Sequence, residues 1–161
     1  MINTMRNLVF ISLLLFSLVS VAQKKKEIKK YRIKSVTATE TENGKTITDA
    51  KTVYDSNGEV IEETNYDKNG QLKSVLKYKY NSEGDVLEEA EYDTKGALKE
   101  KKNFKYNSLG EKTEELVTDG AGKTIKKIVY SYDGKGMKSE RKTYEASGAL
   151  ISVKKYTYEY R

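Results

Sequence analysis

The 161-residue chain contains no cysteine, histidine, tryptophan or proline. Without cysteine it can form no disulfide bond and has no thiol nucleophile. Without histidine it lacks the commonest metal ligand and the imidazole base that activates serine or cysteine nucleophiles. These absences argue against most enzyme classes, and we expect no catalytic residue, no metal site and no cofactor.

Residues 1–22 have the pattern of a signal peptide. Arg6 supplies the positive charge, an apolar run follows over residues 8–19, and Ser20-Val21-Ala22 is a small-x-small cleavage signature. The apolar run is too short for the ~20 residues that span a bilayer. We therefore predict cleavage after Ala22, a periplasmic or extracellular location and no transmembrane segment after cleavage. The leucine-rich run ending in Val21-Ala22-Gln23 resembles those of exported proteins of the Bacteroidota.

Basic residues are concentrated directly after the predicted cleavage site, at positions 24–34. Such a run is typical of a disordered tail, although it could also engage an anionic surface. We predict a basic, disordered tail over residues 23–30 and one repeat domain over residues 31–161. Further along the chain lysine is balanced by glutamate, so no nucleic-acid partner is expected.

Glycines recur along the rest of the chain at regular intervals. They are Gly44, Gly58, Gly70, Gly84, Gly96, Gly110, Gly122, Gly136 and Gly148. Their spacing alternates between fourteen, as from Gly44 to Gly58, and twelve, as from Gly58 to Gly70. The two spacings together give a period of twenty-six, from Gly44 to Gly70, and a fixed period of this length indicates a repeat architecture.

Each glycine closes a motif such as Tyr54-Asp55-Ser56-Asn57-Gly58-Glu59-Val60. An Asp or Asn followed three residues later by Gly is typical of a type I turn with a left-handed bulge glycine, a common hairpin connection. The runs between turns are seven or nine residues long and rich in Tyr, Val, Ile and Thr, as strands are. The sequence therefore predicts an all-β fold, a ten-stranded antiparallel meander in one strongly curved sheet. The alternative is a closed ten-stranded barrel.

The turns also predict the register of the strands. Tyr54 should face Val60, and the same pairing should join Tyr66 to Leu72, Tyr80 to Val86, Tyr92 to Leu98 and Tyr144 to Leu150. Because both run lengths are odd, all these tyrosines are expected on one face of the sheet. The same register places Glu88 opposite Lys102, Glu140 opposite Lys154 and, on the other face, Glu91 opposite Lys99.

Two sets of residues on the predicted tyrosine face are candidates for a ligand or partner surface. Aromatic side chains with a polar tip suit sugars and peptides, although they could equally be the core of a curled sheet. The glutamates recur with the period of the repeat and could bind a cation or sugar hydroxyl, or could be satisfied by neighbouring lysines. The candidates are Tyr31, Tyr78, Tyr130, Tyr156, Tyr158, Tyr160, Glu62, Glu88, Glu114 and Glu140.

One repeat departs from the pattern. Thr118 replaces the expected tyrosine, Lys112 and Thr124 replace aliphatic residues, and Gly120 adds a second glycine to the turn that Gly122 closes. The segment could be a hinge or a binding gap, or it could reflect drift in a tolerant repeat.

The motif Tyr-Asp/Asn-x-x-Gly-x-Leu/Val at residues 54–60, 66–72, 80–86 and 92–98 resembles the YD repeats of Rhs-type proteins and the glycine-punctuated hairpins of variant MORN repeats. The resemblance covers about residues 40–161. In those families such repeats form shells, scaffolds or interaction surfaces. The resemblance therefore implies a non-enzymatic protein that binds a protein or glycan of the cell envelope. The alternative is a small envelope glycan-binding protein or hydrolase that uses the glutamates and tyrosines. Open edge strands also predict self-association.

Overall fold

A computed structural model describes residues 18–42 and 44–161, with side chains from Lys24 onward. One helix precedes ten strands. Their bounds are α1 Leu18–Lys30, β1 Ser35–Glu42, β2 Lys45–Tyr54, β3 Val60–Tyr66, β4 Leu72–Tyr80, β5 Val86–Tyr92, β6 Leu98–Tyr106, β7 Lys112–Asp119, β8 Thr124–Tyr132, β9 Lys138–Glu145 and β10 Leu150–Lys155.

All ten strands lie in one antiparallel sheet in the order in which they occur along the chain. β1 pairs with β2, and β10 pairs with β9, so the two terminal strands are open edges and the sheet is not closed. The predicted ten-stranded meander is thus confirmed, and the alternative of a closed barrel is wrong.

The turns have the predicted conformation. All nine glycines of the repeat have positive φ, between 75° and 90°, a region that residues with a Cβ rarely adopt. In the first regular turn the amide of Gly58 donates to the carbonyl of Asp55 at 3.1 Å. The Asp55 carboxylate also accepts hydrogen bonds from the amides of Asn57 and Glu59 at 2.8 and 2.9 Å. The Asp or Asn that opens each such turn therefore holds the backbone that the glycine closes.

The pairing next to each turn is as predicted, but one extra residue follows it. Tyr54 faces Val60, and the next residue of β2, Val53, faces Glu62. Ile61 is therefore the extra residue of a β-bulge, in which two residues of one strand lie opposite one residue of the other. Equivalent register shifts interrupt the pairing next to the later turns.

The bulges divide the tyrosines between the two faces of the sheet, so the prediction of one tyrosine face is wrong. A bulge changes which face the residues beyond it occupy, because directly paired residues share a face and faces alternate along a strand. We call the side that α1 covers the helix face; it carries Tyr54, Tyr78, Tyr80, Tyr106, Tyr130, Tyr132, Tyr156 and Tyr158. The opposite side, the ladder face, carries Tyr66, Tyr92 and Tyr144 together with Glu62, Glu88, Glu114 and Glu140.

The sheet has a thin core. The buried residues in the described part of the chain are Ile28, Tyr54, Gly58, Ala90, Val117, Thr118 and Ile128. Burial is concentrated at α1 and in the central strands, whereas β1 and β10 are exposed along their whole length.

The basic segment after the predicted cleavage site differs from the sequence prediction, because residues 23–30 belong to α1 and not to a disordered tail. Ile28 explains the difference: only 4% of it is exposed, and it lines a groove with Tyr54 and Val60 of the sheet. A short helix is marginal in water unless tertiary packing supports it. Most of the predicted signal peptide, residues 1–17, lies outside the described residues. No helix in the described part of the chain is long and apolar enough to cross a membrane.

Candidate functional site

Each of the four glutamates on the ladder face has a lysine partner. Glu62 lies 3.5 Å from Lys77, and Glu140 lies 2.5 Å from Lys142. Glu88 and Glu114 each bridge two lysines. Glu88 binds Lys79 at 2.9 Å and Lys101 at 3.8 Å, and Glu114 binds Lys105 at 2.8 Å and Lys127 at 3.1 Å.

The predicted lysine partners were wrong in two of three cases, and the bulge is again the reason. Glu88 faces Asn103, and Lys102 instead pairs with Glu89 on the helix face at 2.7 Å. Lys154 faces Arg141 instead of Glu140. The predicted pair of Glu91 and Lys99 does form, at 2.6 Å, because Lys99 is itself the bulge residue next to the turn.

The charges around Glu114 do not suit acid catalysis. Hydrogen bonding to the Lys105 ammonium lowers the pKa of the Glu114 carboxyl below its ordinary value, and Lys127 acts in the same direction. A carboxyl group that donates a proton near neutral pH needs a raised pKa. The geometry of the ladder therefore supports a structural set of ion pairs.

On the helix face, four tyrosine hydroxyls bond to backbone carbonyls at the points where the pairing of neighbouring strands ends. β3 and β4 pair from Glu62 and Lys77 onward, so the carbonyl of Val60 lies beyond the last pair. The Tyr80 hydroxyl donates to that carbonyl at 2.6 Å. Tyr106, Tyr132 and Tyr158 repeat the bond to the carbonyls of Val86, Lys112 and Lys138 at 2.9, 2.8 and 2.8 Å. This role was not predicted, although the sequence carries its signal: these four tyrosines recur with the twenty-six-residue period of the repeat.

The inner tyrosines of the same face bind carboxylates. The hydroxyls of Tyr78 and Tyr130 donate to Glu63 and Glu115, each at 3.1 Å. Burial, and then the charge of Glu63, raises the pKa of Tyr78. Burial and Glu115 likewise raise the pKa of Tyr130.

The terminal candidates have fewer contacts with the sheet. Tyr31 and Tyr160 are 65% and 64% exposed, and each has a lysine ammonium over its ring, Lys30 at 5.0 Å and Lys135 at 4.0 Å. Tyr156 extends the pairing of β10, since its amide donates to the carbonyl of Ser139 at 3.0 Å. The structure therefore does not bring the ten sequence candidates together into one site.

The irregular repeat is tightly packed. Val117 is fully buried and Thr118 is 7% exposed. A Cβ added to Gly120 would lie 1.9 Å from the carbonyl oxygen of Leu98. This close approach explains the extra glycine. Within residues 18–42 and 44–161, no group of three or more acidic side chains is placed to hold a metal ion.

No protein-family model matches the chain, and no curated protein matches it. The resemblance to YD and MORN repeats therefore stays a prediction. Among solved structures, the chain is similar to a porin-like protein from Bacteroides uniformis, with 16% identity and a TM-score of 0.41; the match covers 74% of this chain and 49% of that protein, about half its length. It is also similar to a protein of unknown function from Bacteroides fragilis, with 14% identity, a TM-score of 0.40, and coverage of 79% and 96%. At these TM-scores the matches carry no argument about function.

Proposed function

We propose that the protein is a non-enzymatic, exported repeat protein that acts as a scaffold or binding surface for a protein or glycan of the cell envelope. The observation that carries the proposal is the thin core. In the described part of the chain all ten strands lie in a single sheet, and the buried hydrophobic side chains are Ile28, Tyr54, Ala90, Val117 and Ile128. In such a fold most residues lie at an extended surface and few form a core.

The helix face supports a binding role most directly. α1 covers the start of this face only, at Tyr54, Val60 and Tyr80. Beyond α1 the face presents half-buried aromatic rings between charged side chains. This mixture of aromatic and polar groups is typical of interfaces.

The rival function, a hydrolase that uses the glutamates, has less support. Each of Glu62, Glu88, Glu114 and Glu140 is paired with at least one lysine. No specific observation places two of these carboxyls across a cleft with separate acid and nucleophile roles.

Export is part of the proposal and depends on the sequence of residues 1–22. Fractionation of cells that express the full chain should recover a product shortened at Ala22 outside the cytoplasm. Recovery of the uncleaved chain in the cytoplasm would contradict it.

The binding role can be tested with the purified protein on a solid support. It is exposed separately to the protein fraction and to the glycan fraction of cell envelopes. We expect retention of a component from one fraction, weakened several-fold by Phe104→Ala, which removes a half-buried ring of the helix face beyond α1. Tyr144→Ala removes a half-buried ring from the ladder face, so it is the matched control and should leave retention unchanged. Retention of nothing from either fraction would contradict the proposal.

The same assay separates the scaffold from the hydrolase. Substituting Glu62, Glu88, Glu114 and Glu140 together by Gln should leave retention unchanged. Turnover of an envelope glycan by the native protein that disappears in this variant would favour the hydrolase.

A further inference from the structure

α1 lies directly on the first regular turn of the sheet. A Cβ added to Gly58 would stand 2.8 Å from the carbonyl oxygen of Lys25 and 3.6 Å from Cγ2 of Ile28, so the helix backbone rests on this glycine. The Lys25 ammonium forms an ion pair with Glu59. One turn of the helix thus supplies two groups to the sheet: the Lys25 ammonium and the buried side chain of Ile28.

The groove that receives this helix occurs again one repeat further along the chain. Lys25 and Lys29 enter the first groove, whose walls include Asp55, Asn57, Glu59, Ile61, Tyr80 and Gly84. The walls of the second groove are formed by the equivalent residues Asn81, Glu83, Asp85, Leu87, Tyr106 and Gly110. The floors are also equivalent, since Tyr80 and Tyr106 donate to the carbonyls of Val60 and Val86.

The two grooves differ in how their acidic charge is balanced. Lys25, Lys29 and Lys79 line the first groove together with Asp55, Glu59 and Glu83. Glu83 lies between the two grooves and also lines the second one with Asp85, where no lysine or arginine is among the lining residues. Among the ion pairs of the described residues, neither of these two carboxylates takes part. Leu87 and Leu109, 40% and 78% exposed, add an apolar contact surface.

The third copy of the groove does not have the same character. At the positions of Glu83 and Asp85 it has Leu109 and Glu111, and Lys135 lies in its turn. Of these three copies, the second groove is therefore the one that combines two carboxylates and exposed aliphatic side chains with no lining lysine.

We propose that the second groove docks a lysine-rich helical segment of a partner protein, in the way that the first groove holds α1. Lys25, Ile28 and Lys29 show the required pattern, because residues three and four apart lie on one face of a helix. This inference rests on the proposed binding function and narrows its partner to a protein with such a helix. The attraction is between opposite charges near the surface, so it should weaken as salt rises.

A fluorescently labelled peptide with the sequence of residues 23–34 is the probe, because its helix is known to fit the first groove. Anisotropy is measured with the purified protein at low salt and at high salt. We expect binding at low salt that is at least tenfold weaker at high salt. We expect Glu83→Gln combined with Asp85→Asn to weaken it at least tenfold at low salt, and Asp85→Asn alone, which changes a carboxylate that lines the second groove and not the first, to weaken it several-fold. Glu40→Gln combined with Glu42→Gln removes the same charge from β1 and should change the affinity less than twofold.

Two further variants identify the groove. Glu59→Gln loosens only the chain's own α1 and should not weaken binding of the peptide. A peptide with Lys25→Ala and Lys29→Ala should bind at least tenfold more weakly than the parent. Circular dichroism of each protein variant checks that it is folded.

Absence of binding by a folded protein overturns the inference. Equal loss in the β1 control, or loss in Glu59→Gln alone, overturns it as well, because the peptide would then bind by overall charge or by displacing α1. If envelope components are still retained on the support in that case, the proposed function stands and only this inference fails.

Discussion

The repeat that contains β7 departs from the repeat sequence, yet its side chains at the turn are more deeply buried than those of the regular repeats around it. The β7 repeat has lost its tyrosine to Thr118, yet Thr118 is 7% exposed and its neighbour Val117 is fully buried. In the regular repeats the equivalent tyrosines Tyr66, Tyr92 and Tyr144 are only half-buried. The departures from the repeat therefore coincide with the best-packed part of the sheet. They favour neither a hinge or binding gap nor drift, the explanations that the sequence offered.

The largest effect is expected from substitutions of Gly120 and Gly134, each of which follows the Asp that opens its turn. Gly120→Ala should destabilise the fold by about 3 kcal/mol, since the new Cβ would overlap the carbonyl of Leu98 and the backbone would have to move. Gly134 occupies the same turn position and has open space around it, so Gly134→Ala should be neutral or stabilise by about 0.4–1 kcal/mol. Urea unfolding measures both. Equal effects would show that Gly120 has no special role.

The next test restores the tyrosine of the repeat at position 118 of β7. Thr118→Tyr should destabilise by about 1–3 kcal/mol, because the larger side chain enters a space that is already filled. Thr118→Val keeps the shape and gives up only a 3.4 Å hydrogen bond to the carbonyl of Lys101, so it should cost less than about 1 kcal/mol. A Tyr variant more stable than the parent protein would favour drift.

The turns and the pairs beside them could be predicted from the sequence because each has a local signal. Asp55 and Gly58 specify a turn, and the turn places Tyr54 opposite Val60. The bulge that follows has no such signal. Its extra residue is Ile61 in one repeat, Lys99 in another and Thr113 in a third, and none of these needs an unusual backbone conformation. Strand length alone then assigns the wrong face to everything beyond the bulge.

α1 could not be predicted for a different reason. Lysine is a good helix former, but like charges three and four residues apart oppose an isolated helix. The helix therefore depends on the packing of Ile28 beside Tyr54 in the folded sheet. The ion pairs of the candidate site also depend on the folded sheet and could not be predicted. The lysine partners of Glu88 and Glu140 depend on the face, and the face depends on the bulge.

In the regular repeats, the contribution of the tyrosine hydroxyls that bond to backbone carbonyls can be tested through pH. Burial, and then the charges of Glu59 and Asp55, raises the pKa of Tyr80 to about 12. A raised pKa in the folded state means that its stabilisation is complete below the ordinary value of 10.0 and is lost as pH rises towards 12. We expect unfolding in this range, followed by circular dichroism and tyrosinate absorbance. Tyr80→Phe should cost about 0.5–1.5 kcal/mol at neutral pH and reduce the alkaline loss. An unchanged alkaline profile would contradict this role.

The smallest test concerns the lysine that replaces an aliphatic residue at the start of β7. The Lys112 ammonium lies 4.6 Å from the Phe104 ring centre, 5.4 Å from that of Tyr130 and 3.6 Å from Glu115. Lys112→Val restores the repeat but removes these contacts, so we expect a loss of about 0.5–1 kcal/mol at low salt. The loss should shrink at high salt because salt screens charges near the surface. Lys123→Val removes the same charge from an exposed turn position and should cost less. If Lys112→Val is instead more stable at every salt concentration, the lysine is a tolerated replacement, as drift would produce here and at the equivalent Lys138 of β9.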